Sequence, residues 1–334
     1  YDIRAKMGGL SLSMESFSPS FDLDAYRNLY PFESNFLDLD GVRMHYLDEG
    51  KGETVLMLHG NPTWSFYYRN LILALRKKYR VIAPDHIGCG LSDKPQRYPY
   101  QLSRHVSNVQ NLLDELKLKK VHLIVHDWGG MIGFGAAVEN PERFQSFVIL
   151  NTGAFRLPQP NNFPLSIAFC RVPALGRFAV RVFNGFSKGA SMLATVSSKV
   201  SEQEKQGLMA PYNSYANRVA IHAFVKDIPL NPSHPSYETL LQIESRLHLL
   251  ENHPKQVIWG KKDFCFDDHF LREWKRFFPG ISVVELPEAG HYVLEDAREE
   301  VIQIAGDFLG QVKSQKPAET NRSKVTRKES AKKR

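Results

Sequence analysis

VHLIVHDWGGMIGFGAAVEN, residues 121–140, decides how the rest of the chain is read. Val121–Val125 has the length and composition of a buried strand, and the stretch after Gly129 reads as a helix that stops at Asn140-Pro141. The join is a sharp strand-to-helix turn, the kind that lifts its tip residue above a sheet and displays it to a reactant. Here the tip is Asp127, with Trp128 behind it. An aspartate in that place either caps the helix or acts as a nucleophile that is already ionised at neutral pH. Its partners decide between the two.

Working outward, short apolar runs alternate with helical patterns. FLDL and VRMHYLDE flank Asp40-Gly41 as a hairpin. TVLMLHG (54–60) precedes a helix from about Trp64, and RVIAPD (80–85) precedes a glycine loop and a helix over 102–116. FQSFVILNT (144–152), QVIWG (256–260) with a helix from Asp267, and SVVELP (282–287) with a final helix over 293–310 complete the series. Alternation of this kind predicts an α/β fold, a mostly parallel central sheet flanked by helices, with ligands bound beyond the carboxyl ends of the strands. Residues 155–230 break the pattern, being rich in Pro, Arg and Phe and helical without strands. They read as a helical cap inserted between two parts of a main domain, 26–154 and 231–312, with an extension over 1–25 and a tail over 313–334.

Charge is informative only once it is located. The tail carries nine Lys/Arg and two Glu, which accounts for the whole net charge of +7, so the body is neutral and nothing in it favours nucleic acid. A tail so poor in apolar residues is expected to be disordered, with a weak contact to an anionic membrane surface as its functional alternative. Cys89, Cys170 and Cys265 are widely spaced and match no metal pattern, which points to reduced thiols and a cytoplasmic protein. Residues 1–20 lack the apolar core of a signal peptide. The apolar stretch 163–183 is broken by Pro164, Arg171, Pro173, Arg177 and Arg181, so it is not a membrane span.

Other motifs fail on context. Gly185-Phe186-Ser187-Lys188-Gly189 has the spacing of a serine nucleophile, but no buried strand leads into it. IGCGLSD (87–93) and GGMIGFG (129–135) lack the acidic residue and setting of a dinucleotide site. No cofactor and no metal are expected.

Asp127 does have partners in the order such a site needs. Asp263 follows QVIWG, His291 follows SVVELP, and His59-Gly60-Asn61-Pro62 ends a strand upstream. Asp267 and Asp268 compete with Asp263 but more plausibly start a helix, with Asp267 as its cap. Asn151 occupies another post-strand loop, and an amide stabilises an imidazolium less well than a carboxylate. The expected chemistry is attack by Asp127 on a tetrahedral carbon, giving an alkyl ester that water activated by His291 then hydrolyses. Asp263 orients the imidazole, and the backbone N–H groups of Asn61 and Trp128 form the oxyanion hole. The Trp128 indole N–H and the Asn61 amide, two neutral donors, suit a departing halide.

HGNPTWS (59–65), PDHIGCGLSDKP (84–95), VHDWGG (125–130), WGKKD (259–263) and GHYVLED (290–296) together resemble the haloalkane dehalogenases of the α/β-hydrolase superfamily, over roughly residues 30–310. The resemblance implies an α/β-hydrolase fold, Asp127 as nucleophile, His291 as base, Asp263 as acid, and Asn61 with Trp128 as the halide-stabilising pair. The position of the acid and the Asn–Trp pair are similar to the third dehalogenase subfamily. That group's relatives include the β-lactone decarboxylases of bacterial olefin synthesis, whose loops HIGCGLSDKP and WGKKDFCFDDHF also resemble. The leading expectation is hydrolytic dehalogenation of a small apolar substrate. The alternative is decarboxylation of a long-chain cis-3-alkyl-4-alkyloxetan-2-one to alkene and CO2. Epoxide hydrolysis is a third reading, with Tyr212, Tyr215 and Tyr237 as the available proton donors; against it, those enzymes usually carry an aromatic residue where Asn61 stands.

Overall fold

The computed structural model describes residues 21–158, 163–186, 189, 195–196 and 200–314. Eight strands form one sheet: β1 (Asn35–Asp38), β2 (Arg43–Gly50), β3 (Thr54–Leu58), β4 (Arg80–Pro84), β5 (Val121–His126), β6 (Phe144–Leu150), β7 (Lys255–Gly260) and β8 (Ser282–Leu286). Their spatial order is β1-β2-β4-β3-β5-β6-β7-β8. β2 is antiparallel to both neighbours and every other pair from β4 to β8 is parallel. Asp40 and Gly41 both take positive φ, 56° and 83°, which is the geometry a tight two-strand turn requires.

β5 lies at the centre and is buried along its whole length. Its side chains alternate between two apolar clusters, Leu123 and Val125 facing one and Ile124 the other. Helices α1 (Arg69–Leu75) and α11 (Arg298–Ser314) cover the Ile124 face. Helices α2 (Leu102–Glu115), α3 (Trp128–Glu139), α8 (Tyr237–Arg246) and α9 (Asp268–Phe277) cover the other. Sheet and helices thus bury each other's apolar faces in three layers.

Between β6 and β7 the described chain is helical: α4 (Leu165–Arg171), α5 (Leu175–Arg181), α6 (Glu202–Met209) and α7 (Val219–Lys226), followed by α8. Two elements differ from expectation. The segment after Trp64 starts as a 3-10 turn over Ser65–Tyr68, and the α-helix begins only at Arg69. Trp64 is held in extended conformation because its indole N–H donates to the Gly207 carbonyl at the end of α6. The final helix is two helices, α10 (Val293–Asp296) and α11, parted at Ala297 (φ −131°, ψ 49°). The Asp296 carboxylate accepts from Gly290 N–H at 2.7 Å, so α10 is tied to the loop before His291 rather than continued. Ser187, the residue 1–20 extension and residues 315–334 of the tail lie outside the described residues.

Candidate active site

Asp127 sits at the tip of the β5–α3 turn with φ 50° and ψ −125°, a conformation a residue with a side chain adopts only when its surroundings enforce it. Two contacts enforce it here: Asp127 N–H donates to the Asn151 carbonyl at 3.2 Å, and the Thr152 hydroxyl donates to the Asp127 carbonyl. Glycine is required at two nearby points. A Cβ on Gly129 would strike the backbone of Leu58 and His59, and one on Gly60 would occupy the space of the Asp127 carboxylate. The loop after β3 and the start of α3 can therefore close around one side chain.

That closure puts the Asn61 backbone N–H 2.6 Å from Asp127 Oδ1, and the Trp128 backbone N–H donates to the same carboxylate. Oδ2 faces the His291 Nε2 at 3.8 Å. On the far side of the ring, His291 Nδ1 donates to Asp263 Oδ2 at 2.8 Å, which leaves Nε2 as the free base position. Asp263 is itself saturated with donors: Asn151 Nδ2 at 2.9 Å on Oδ2, and the backbone N–H groups of Cys265 (2.7 Å) and Phe266 (3.1 Å) on Oδ1. The imidazole stacks on Phe266 at 12° and packs against His126, whose Nε2–H donates to the His291 carbonyl. Burial and the neighbouring His291 both keep His126 neutral.

Burial resists protonation of His291, but the carboxylates of Asp263 and then Asp127 outweigh it and hold its pKa above the ordinary histidine value. Asp127 is shifted upward as well. Its burial is the largest cause, opposed by His291 and by the N–H groups of Asn61 and Trp128. A carboxylate stripped of water in this way is a stronger base and nucleophile than one in solution.

Asn61 and Trp128 line the same cavity as Asp127 and His291, a space of about 200 Å³. One Asn61 amide proton goes to the Ile221 carbonyl at 3.2 Å; among the described residues the second has no acceptor and the buried Oδ1 has no donor. The Trp128 indole N–H has no acceptor among the described residues, and its ring meets Phe224 edge-on. Phe155, Ile167, Val225 and Leu240 contribute to apolar walls above these groups. Asp267 caps α9 through His269 N–H, and Asp268 is a surface partner of Lys261.

The three tyrosines of the epoxide reading are not brought to the cavity. Tyr212 is buried and donates to the Thr63 carbonyl, Tyr215 is exposed beneath the Arg181 guanidinium, and Tyr237 lies at the start of α8 beside Arg156. The tyrosine among the described lining residues is Tyr292. Conversely, Asn151 has a role that sequence reasoning missed. It donates to Asp263 and to the Gly260 carbonyl, and accepts from Gly260 N–H at 2.8 Å, so it clamps the ends of β6 and β7 together. The only signal was its place directly after a strand.

The chain belongs to the α/β-hydrolase fold family, whose profile matches residues 53–297. Enzymes of two kinds are among its relatives. It is 46% identical over 284 residues to a cis-3-alkyl-4-alkyloxetan-2-one decarboxylase of Shewanella oneidensis, covering 84% of this chain and 89% of the relative. A decarboxylase of the same description from Xanthomonas campestris pv. campestris is 41% identical over 291 residues, covering 84% and 97%. Haloalkane dehalogenase 2 of Mycobacterium tuberculosis is 32% identical over 287 residues, covering 84% and 96%. Among solved structures, the haloalkane dehalogenase DbeA from Bradyrhizobium elkani superposes with a TM-score of 0.76 at 23% identity, over 85% of this chain and 99% of that one, and so shares the fold.

Proposed function

We propose that Asp127 attacks a tetrahedral carbon of a small apolar substrate, and that the substrate is a cis-3-alkyl-4-alkyloxetan-2-one. The observation that carries this choice is the identity of 46% and 41% to two such decarboxylases over 84% of the chain, above the 32% over 84% and 37% over 70% to dehalogenases. The cavity chemistry supports it.

In this scheme Asp127 Oδ2, the oxygen not held by the Asn61 N–H, attacks ring carbon C4. The C4–O bond breaks and its electrons form a free carboxylate, which the Asn61 amide and Trp128 indole N–H groups hold. The bond from C3 to that carboxylate then breaks and CO2 leaves. Its electrons form the C3=C4 double bond, and the C4–O bond to Asp127 breaks, restoring the aspartate. No water enters. His291, protonated with the support of Asp263, stabilises the Asp127 carboxylate as it returns. Attack with inversion followed by anti fragmentation is net syn, so a cis ring yields a cis alkene. The segment 155–230 acts as the cap over this site, and three free cysteines fit a reducing cytoplasm.

The second reading is hydrolytic dehalogenation by the same residues. The same free donor pair favours it, since two neutral N–H groups hold a halide as readily as a carboxylate. Halide leaves, and neutral His291 activates water to attack the Asp127 ester, with Asn61 and Trp128 N–H groups holding the oxyanion.

Purified protein is given a cis-dialkyl β-lactone and, separately, a 1-bromoalkane of matched chain length. Alkene and CO2 from the lactone, lost in Asp127→Ala, support the proposal. Halide and alcohol from the bromoalkane with no alkene from the lactone overturn it in favour of the second reading. Replacing Trp128 with Phe impairs whichever reaction the donor pair serves.

A further inference from the structure

Helices α4 and α5 form a hairpin with two unlike faces. Inward, Ile167, Cys170 and Val180 are buried, and Ile167 and Cys170 line the cavity that holds Asp127. Outward, the side chains are also apolar. Leu165, Phe169, Leu175, Phe178 and Phe183 are 51–86% exposed, with Val172 and Val182 beside them. The spacing of Leu165 to Phe169 and of Leu175 to Phe178 and Val182 places each set on one side of its helix. A contiguous exposed patch of large apolar residues marks a surface that meets something.

The charges around the patch say what. Residues 157–183, which span the hairpin, contain three arginines, Arg171, Arg177 and Arg181, and no Asp or Glu. Arg177 is exposed and has no partner among the described residues. Arg171 donates to the Val225 carbonyl, and Arg181 donates to the Tyr215 carbonyl and to Gln96 Oε1. Among the described residues none of the three guanidinium groups forms a salt bridge with a carboxylate, Asp227 being an electrostatic neighbour of Arg171 without a direct contact. A second copy of the chain is a poor partner, because an acid-free hairpin meeting itself sets arginine against arginine. Aromatic and aliphatic side chains bordered by unpaired arginines fit the boundary between acyl chains and anionic headgroups. Among the described residues no helix is long and apolar enough to cross a membrane, so such a contact is at the surface.

We propose that the outer face of the Leu165–Phe183 hairpin seats on an anionic lipid bilayer, placing the cavity on its inner face where apolar substrate can be taken from the membrane. The proposal requires only that the substrate be apolar, so it stands or fails separately from the choice of leaving group. It is also distinct from attraction of the basic tail, which is electrostatic and leaves no side chain among the acyl chains.

The four native tryptophans, Trp64, Trp128, Trp259 and Trp274, are all buried. Phe178→Trp in the full chain therefore adds an exposed reporter. With vesicles of phosphatidylcholine and phosphatidylglycerol its emission shifts to the blue and is quenched by lipids brominated on the acyl chain. Phosphatidylcholine alone gives a weaker response. Phe169→Ser/Leu175→Ser/Phe178→Ser in the full chain lowers the vesicle-bound fraction roughly tenfold or more, given the apolar area these residues bury in lipid. Its melting temperature and its turnover of a short, water-soluble substrate stay at wild-type values. An unshifted and unquenched reporter overturns the proposal, as does a triple variant that binds vesicles like wild type, which would assign binding to the tail. A shift produced by raising protein concentration without vesicles overturns it in favour of a second copy. A shift confined to an acidic polypeptide overturns it in favour of a protein partner.

Discussion

Asp263→Asn separates the two halves of the chemistry in one substitution. Each contact Asp263 makes is one in which it accepts: from His291 Nδ1 and Asn151 Nδ2 on Oδ2, and from Cys265 and Phe266 N–H on Oδ1. An asparagine in the same place has one oxygen and one NH2. With the NH2 turned toward the backbone, it faces two N–H donors. Turned the other way, it faces the Asn151 amide and forces His291 to accept at Nδ1. That moves the imidazole proton to Nε2, the atom facing Asp127, and removes the base.

Loss of the carboxylate beside an imidazolium about 4 Å away costs about 4 kcal/mol at an effective dielectric near 20. At 1.36 kcal/mol per decade, that slows water activation roughly 10³-fold. Attack by Asp127 on a bromoalkane uses none of this and stays fast. Rapid-quench measurement then gives a burst of about one halide per site followed by slow release, with the mass of the alkyl group added to the peptide containing Asp127. The lactone reaction loses less, because no water is activated. If the variant turns over bromoalkane at the wild-type rate with no ester, the role given to Asp263 is wrong. If burst and turnover disappear together in a protein of wild-type melting temperature, the separation of the two steps is wrong.

His291→Phe should trap the alkyl ester outright when a bromoalkane is supplied; mass spectrometry that finds the adduct on another residue, or finds none while wild type turns over, refutes Asp127 as nucleophile. Neutral imidazole in one reaction and imidazolium in the other set opposite pH demands. Acidification therefore slows bromoalkane turnover while lactone decarboxylation persists, and because the ester neutralises Asp127 and removes one of the carboxylates that raise the His291 pKa, the hydrolytic midpoint lies below that of free His291; coincident profiles would contradict this assignment. In water enriched in oxygen-18, repeated dehalogenation places solvent oxygen in the Asp127 carboxylate, and repeated decarboxylation places none. Arg69, fully buried, binds Glu295 at 2.5 and 2.8 Å and Glu204 at 2.8 Å, so Arg69→Met leaves Arg298 as the cation beside both carboxylates and lowers stability by about 3 kcal/mol in urea unfolding. Burial opposes ionisation of Glu204, but the Ser201 N–H and Arg69 outweigh it and hold its pKa down at about 2, so its contribution to stability is complete above 4.5 and drains away as pH falls toward 2.

What could be read from the sequence was local. The β5 strand, the elbow at Asp127 and the positions of Asp263 and His291 each directly after a strand are written in runs of ten residues or fewer, and apolar runs and glycine patterning expose them. What could not be read depends on register between distant segments. Asn151 clamps Asp263 because β6 and β7 pair in parallel and bring its amide to Gly260, 109 positions away. The Arg69–Glu204–Glu295 cluster joins residues separated by 135 and 226 positions, and links α1, α6 and the helix directly after His291. The hairpin of α4 and α5 showed its apolar composition, but both of its faces are apolar, so periodicity had no polar side by which to orient it.

The shared catalytic set also explains how one site lies between two reactions. Both begin with the same attack, and both need a pair of N–H donors for the group that departs. They diverge in the source of the electrons that free Asp127. In hydrolysis these come from water, which must reach the Asp127 carboxyl carbon inside a cavity with apolar walls and must lose a proton to an imidazole whose charged partner, once Asp127 is esterified, is Asp263. In decarboxylation the electrons arrive with the substrate, in the bond to its own departing CO2, and a protonated His291 is then an asset beside the returning carboxylate. The hydrolytic route therefore needs water admitted between apolar walls and a neutral imidazole, whereas the fragmentation route needs neither and gains from the carboxylates that raise the His291 pKa in the free site.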